Sequence, residues 1–380
     1  MNARSNPPLP SRLAPTSRSA FTLVEILVAI SIIGILSAIL IPAVTNAIRR
    51  ARVTNLRLEV TALEQALEQY SQKHGEYPPD FSSWAVVQRH YRKAFPRMST
   101  NDTTLLYNLL HNSSGVYQAA QLDRSEVLAW TLGGYSDDVQ RPFTGPGGPL
   151  AWSGDGTNTY GDSAVTDTDR QDPANFQVNI DRPNAFMDFD PARLDYNEVN
   201  AGAALAGANR RMSSDGDHFL AYLTASDGAP YVYFDSRTYS LYDAAQSDFN
   251  GYGSTTFGYV RPYLTTNPNT NTSGANYAST ADALAGWQFV NPNTFQIVCA
   301  GLDNNFGAYA SHTISSNTYP LYYQYPTGNA IVPRPGVATP ADLFVSGATK
   351  YQESEFGNNE QYPADNITNF SGGAVVDDLP

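Results

Sequence analysis

The sequence predicts an α+β fold: a long N-terminal helix, apolar in its first half and amphipathic in its second, packed on an antiparallel β-sheet head that carries large loop insertions. Three observations carry this expectation. The run Phe21 to Ala43 is almost wholly apolar. Beyond Pro42, the residues Val53, Leu56, Val60, Leu63, Leu67 and Tyr70 recur at spacings of 3, 4, 3, 4 and 3, the stripe of one helix face. Farther along, "PYVYFDSR" (230–237) and "TFQIVCAG" (294–301) are rich in β-branched and aromatic residues, as strands are.

Composition narrows the function classes. A chain of 380 residues with 42% hydrophobic content has ample material for a core. Its net charge of −13 argues against nucleic-acid binding, which draws most of its affinity from a basic face. Cys299 is the only cysteine, so no intrachain disulfide can form.

In chain order, residues 1–20 form a basic leader containing Arg4, Arg12 and Arg18 and no acid. Residues 21–43 make the transmembrane half of the helix. At about 1.5 Å per residue they reach about 34 Å, enough to cross a bilayer. Glu25 interrupts this run, and a lone carboxylate in an apolar span needs a partner or a function. Residues 44–75 make the amphipathic half, and Pro42, which lacks a backbone donor, is expected to kink or locally melt the helix between the two. Gly75 and Pro78 end it. Arginines flank the span on both sides, Arg49, Arg50, Arg52 and Arg57 following it, so charge alone does not orient it.

Three readings of the N-terminal segment compete: a cleaved secretory signal, a plain anchor, and a leader removed between Ala20 and Phe21. "AFTLVEILVAISIIGILSAILIPAV" (20–44) resembles the N-terminal signal of type IV pilins and type II secretion pseudopilins. The resemblance implies that prepilin peptidase cuts between Ala20 and Phe21, that Phe21 becomes an N-methylated terminus, and that Glu25 stands fifth in the mature chain. Ala20 occupies a position where that family usually has Gly. It further implies a pilin-like fold, a single inner-membrane pass, and a head in the periplasm or on the cell surface. Partners would be copies of the chain, other pilin-like subunits, the peptidase and an inner-membrane assembly platform. Glu25 would then pair with the N-terminal ammonium of a neighbouring subunit and set the register of a filament. "ALEQALEQYSQKHGEYPPD" (62–80) is similar to the same family, in which such a helix leads into a Gly-x-Tyr-Pro segment.

Residues 76–380 are expected to form the head. "RSEVLAWTLGGY" (124–135) reads as a short helix stopped by Gly133 and Gly134, and "HFLAYLTA" (218–225) as a further strand. The stretches 136–181, 245–286 and 308–350, dense in Gly, Pro, Asn and Thr, read as an irregular excursion and two long surface insertions.

No catalytic motif emerges. The five histidines show no metal-binding or catalytic spacing, and Cys299 sits in an apolar run as an inert thiol. The acids of "TDTDRQD" (166–172), "DFDPARLD" (188–195) and "DGD" (215–217) offer hard oxygens on turn-prone backbone, with solvated loop acids as the simpler reading. "FQIVCAGLDNNFG" (295–307) and "EQYPADNITNF" (360–370) resemble the C-terminal part of major pseudopilins. That resemblance implies one Ca²⁺ held by Asp303 and Asp365, with backbone carbonyls near Gly301 or Leu302. The expected function is a structural, non-enzymatic subunit of a type IV pilus-like filament, foremost a type II secretion pseudopilin. The alternatives are a surface type IV pilin and a membrane-tethered surface protein binding carbohydrate or another surface.

Overall fold

The computed structural model describes residues 22–154, 158–194, 219–225, 228–243, 248–268 and 275–380. The chain divides into two compact units, one ending at Ala51 and the other spanning Arg52–Pro380. Helix α1, Leu23–His74, contributes to both. Its end is set by Gly75, which takes a left-handed φ of 79° while its N–H donates to the Ser71 carbonyl at 2.7 Å.

Within the second unit, the periodic stripe of α1 is buried as its spacing predicts. Val60, Leu63, Leu67 and Tyr70 are each at most 1% exposed. They join one cluster with Tyr231, Tyr233, Phe295, Ile297, Cys299 and Ile367. Those partners come from a three-stranded antiparallel sheet in which Phe295–Cys299 is central, flanked by Val232–Asp235 and Ile367–Thr368. Ile297 lies opposite Tyr233 and Cys299 opposite Ile367. Side chains alternate across the sheet, so Val232, Phe234 and Val298 point the other way, into a second cluster with Tyr239, Val260, Tyr263, Phe306 and Tyr351. Both faces are therefore covered, which is why "TFQIVCAG" reads as a continuous apolar run. Gln296 is buried within it; its amide accepts from Tyr263 N at 2.7 Å and donates to the Tyr263 and Val290 carbonyls.

Helices α2 (Trp84–Ala94), α3 (Thr100–Leu110) and α4 (Val127–Leu132) add Val87, Tyr91, Leu105, Leu109 and every residue of α4 but Thr131 to the first cluster. Helix α4 stops at Gly133, as its sequence predicts. Asp80, just beyond α1, is buried and accepts hydrogen bonds from Ser82 N, Asp235 N, Thr238 Oγ1 and Asn250 Nδ2. It fastens the exit of the helix to the edge of the sheet.

Several expectations are corrected. "HFLAYLTA" is no strand: Tyr222 and Leu223 form only isolated bridges, to Leu194 and Pro230, and His218 lies outside the described residues. Its apolar character marks burial, and Arg193 holds it by donating Nε and Nη2 to the Leu223 carbonyl. The 136–181 excursion contains the antiparallel strand pair Leu150–Trp152 with Phe176–Val178, and Phe143, Leu150 and Phe176 enter the main core. The two long insertions build cores of their own. Phe249, Leu264, Tyr277, Leu284, Trp287, Tyr322 and Ile331 pack in one cluster, and Leu321, Ala330, Val332 and Ala348 in another. Scattered aromatic residues among turn signals show no period along the chain, so only long-range contact reveals these clusters.

The stripe predicts its own energetics. Leu67→Ala removes a fully buried side chain and should cost ~2–5 kcal/mol, whereas Leu58→Ala, 63% exposed on the same helix, should stay within ~0.5 kcal/mol. Denaturant unfolding of the two variants checks this, and equal losses would overturn the assignment of the buried face.

Candidate functional site

The first part of α1 is unlike the rest. From Thr22 to Arg52 every side chain is exposed except the half-buried Ser37. Leu23 is 80% and Ile39 69% exposed. A face this large and apolar requires a covering phase, either lipid or other helices. It is the one helix among the described residues long and apolar enough to cross a membrane. Its polar side chains satisfy themselves: Ser31 Oγ donates to the Leu27 carbonyl at 2.7 Å, and Thr45 Oγ1 to the Ile41 carbonyl at 3.1 Å. The local melting expected at Pro42 does not occur, and helix continues through it. Melting would leave several backbone groups unpaired in an apolar segment, against the single hydrogen bond that proline forgoes.

Glu25 has a local role that the sequence reading missed. Its Oε2 accepts from Thr22 N at 2.8 Å and Thr22 Oγ1 at 2.9 Å, while Glu25 N donates back to Thr22 Oγ1 at 3.2 Å. This is a reciprocal capping box, and its Thr-x-x-Glu signature stands in "TLVE" (22–25). Both contacts to the carboxylate use Oε2. Ala20 and Phe21, the expected processing site, lie outside the described residues.

The fold brings Asp303 and Asp365 together. Asp365 Oδ2 accepts from Leu302 N at 2.8 Å and Asp303 N at 3.3 Å. Burial, and then the Asp365 carboxylate beside it, pushes the Asp303 carboxyl up to about 7. Gly301 makes the approach possible. Its φ is +70°, and a Cβ there would sit 2.2 Å from the Asp365 carbonyl oxygen. Among the described residues no group of three or more His, Cys, Asp or Glu side chains gathers as a metal cluster. In the other acid runs Asp169 closes a capping box with Thr166, Asp172 caps Ala174, Asp190 caps Ala192, and Asp167 accepts from Arg170 and Asn101. Asp195, Asp215 and Asp217 lie outside the described residues.

With this geometry in place, comparison with known families gives one match, to the N-terminal segment. Residues 15–41 match the prokaryotic N-terminal methylation motif. The match begins in the leader and covers Glu25 and most of the exposed apolar segment. It supports a type IV pilin-like subunit, processed by prepilin peptidase, anchored by its apolar helix and assembling with other pilin subunits. No curated protein and no solved structure gives a match.

Away from the methylation motif, the fold assembles one polar network that the histidine spacing does not announce. Tyr70 packs between His74 and His90, with ring centroids 4.4 and 5.7 Å away. His90 contacts Tyr70 Oη through Nε2 at 2.7 Å and Glu76 Oε1 through Nδ1 at 2.8 Å. Burial lowers the His90 pKa, so the ring is neutral, with Nδ1–H donating to Glu76 and Nε2 accepting from Tyr70. The hydrogen bond from His90 in turn holds the Glu76 carboxyl down at about 2. His90 and Tyr70 are each 0% exposed. No substrate reaches them, and the network serves to join α1 to α2. Cys299 is likewise sealed, and burial pushes its thiol up to about 12.

His74 is held down at about 4, first by burial, then by the neighbouring His90, which would repel it if both rings were protonated, and by the Lys73 ammonium. Its folded pKa lies below the unfolded value near 6.5, so the unfolded chain binds the proton more readily. Its contribution to stability is lost as pH falls from about 6.5 toward about 4. His74→Phe, among the rings of Tyr70, Phe95, Tyr135 and Phe186, should therefore lose less Tm than the parent chain between neutral pH and the acid end of that window. Parallel shifts in the two proteins would overturn the assignment.

Proposed function

We propose that the chain is a type II secretion pseudopilin, a filament subunit with its single span in the inner membrane and its head in the periplasm. The observation that carries this reading is the exposed apolar helix bearing one carboxylate at its start, within residues 15–41 of the methylation motif. Cleavage between Ala20 and Phe21 would free an ammonium at Phe21. In the filament that ammonium meets Glu25 of a neighbouring subunit, while Glu25 Oε2 keeps its capping contacts and Oε1 takes the charge pair. A neighbour out of register would leave both charges unpaired in an apolar bundle, which penalises mis-assembly. Burial of the Leu23–Ile48 apolar surface would supply most of the assembly energy. A pseudopilin is favoured over a surface type IV pilin by the paired Asp303 and Asp365, and by the single cysteine, which cannot close a C-terminal disulfide loop.

In the same reading Asp303 and Asp365 take one Ca²⁺. The donor set fits in kind: two carboxylates crowd one another, and backbone carbonyls at Gly301 or Leu302 are oxygens of the hard type that calcium prefers. The ion would relieve the repulsion that raises the Asp303 pKa and would tie the end of the central strand to the 362–366 segment.

Two substitutions separate the functions of Glu25. Glu25→Gln keeps a side chain able to complete the capping box and loses the charge; Glu25→Ala loses both. Each should insert and be processed, and each should abolish filament assembly in cells. Normal filaments from Glu25→Gln would reduce Glu25 to a helix cap. For calcium, EDTA should lower the Tm of the parent chain and leave that of Asp303→Ala unchanged. A chelator-insensitive parent would remove the ion from the proposal.

A further inference from the structure

A cavity of about 260 Å³ opens beside the second core cluster, built entirely from segments that the filament reading does not use. One wall is the hairpin Tyr252–Ser254 with Gly258–Val260, in which Tyr252 faces Val260 and Gly253 faces Tyr259. A Cβ on Gly253 would lie 2.7 Å from the Tyr259 ring, so the glycine is what allows that ring to lie flat on the strand. The opposite wall comes from the 306–323 segment, including Tyr309 and Tyr323. The walls are pinned together. Tyr259 N donates to the Gly307 carbonyl and Phe306 N to the Phe257 carbonyl, each at 2.8 Å. Arg261 donates Nη1 to the Phe249 carbonyl at 2.5 Å and Nη2 to the Ala310 carbonyl at 3.3 Å, bridging both sides. The cavity is thus formed before any ligand arrives, as small-molecule sites usually are.

Its chemistry selects a ligand class. The charged side chains on the wall are Asp248 and Arg261, and they neutralise one another at 2.6 Å. An anion would meet Asp248 and a cation would meet Arg261, so the cavity suits a neutral molecule. Tyr252, Tyr259 and Tyr309 line it with rings that carry polar tips, which favours a ligand having one apolar face and a rim of hydroxyls. Tyr323 adds its ring to the wall, its hydroxyl being buried away from the opening. The volume falls just under the roughly 300–1,000 Å³ of drug-sized sites, which suits a single six-membered ring.

We propose that this cavity binds a neutral pyranose, its C–H face on a tyrosine ring and its hydroxyls on the phenol tips and the Asp248–Arg261 pair. The head then carries a sugar-recognition site whatever machine anchors it. The test is saturation-transfer NMR on the full chain in amine-oxide micelles, which bear no sugar headgroup. The probes are the methyl glycosides of glucose, galactose, mannose and N-acetylglucosamine, with tetramethylammonium and inorganic phosphate as charged controls. At least one glycoside should bind saturably and neither control should. Tyr252→Ala should weaken that binding about tenfold or more, equivalent to about 1.4 kcal/mol. Tyr259→Ala, 36% exposed on the wall of the same cavity, should weaken it several-fold with the Tm maintained. Absence of glycoside binding, binding of a charged control instead, or affinities unchanged in both variants would overturn the proposal.

Discussion

Everything in the head depends on the packing of one helix face against one short sheet. Val60, Leu63, Leu67 and Tyr70 lie against Tyr233, Ile297 and Cys299, and each buried aliphatic or aromatic side chain contributes on the order of 1.5–3 kcal/mol. The sheet has only three strands, one of them two residues long. It could not stand alone, because so small a sheet buries too little on its own. The helix covers one face and the 239–263 and 351–376 segments cover the other. Removing either layer would expose a strand with no polar face to show to water.

Around this core, buried and half-buried charges act as fasteners. Glu59 on α1 receives a bidentate pair of hydrogen bonds from Arg193, both at 2.6 Å, and a further one from Tyr231. The guanidinium also lies over the Tyr222 ring at 4.5 Å. Asp80 does the same for the helix exit. Such groups are paired because an unpaired buried carboxylate costs several kcal/mol, so they fix which loops meet the helix more than they add net stability. Glu25 belongs to a different economy: it is exposed, caps its own helix, and sits in a segment that buries nothing within its own compact unit.

The local features were legible in the sequence. The 3,4 spacing from Val53 to Tyr70, the Gly75 stop, the Val232–Asp235 and Phe295–Cys299 strands and the Gly133 stop of α4 all involve neighbours within a few residues. Where local signals conflicted with burial, reading failed. The residues 219–225 are apolar because they are buried, and the tyrosines of the insertions were turn-rich along the chain yet core-forming in space. The capping box in "TLVE" is a local signal too, a Thr-x-x-Glu run at the helix start.

By itself the sequence determined that one N-terminal helix would be apolar on every side and then on one side only, because helical periodicity is a property of neighbours in the chain. It also determined the methylation motif, a contiguous string. Only the tertiary structure decided how Asp303 meets Asp365, with one Asp365 oxygen on the Leu302 and Asp303 N–H groups, that His90 joins Tyr70 to Glu76, and that five tyrosines from two insertions line one cavity. Those meetings follow from how two faces of a small sheet are covered, a long-range packing outcome that no local pattern encodes.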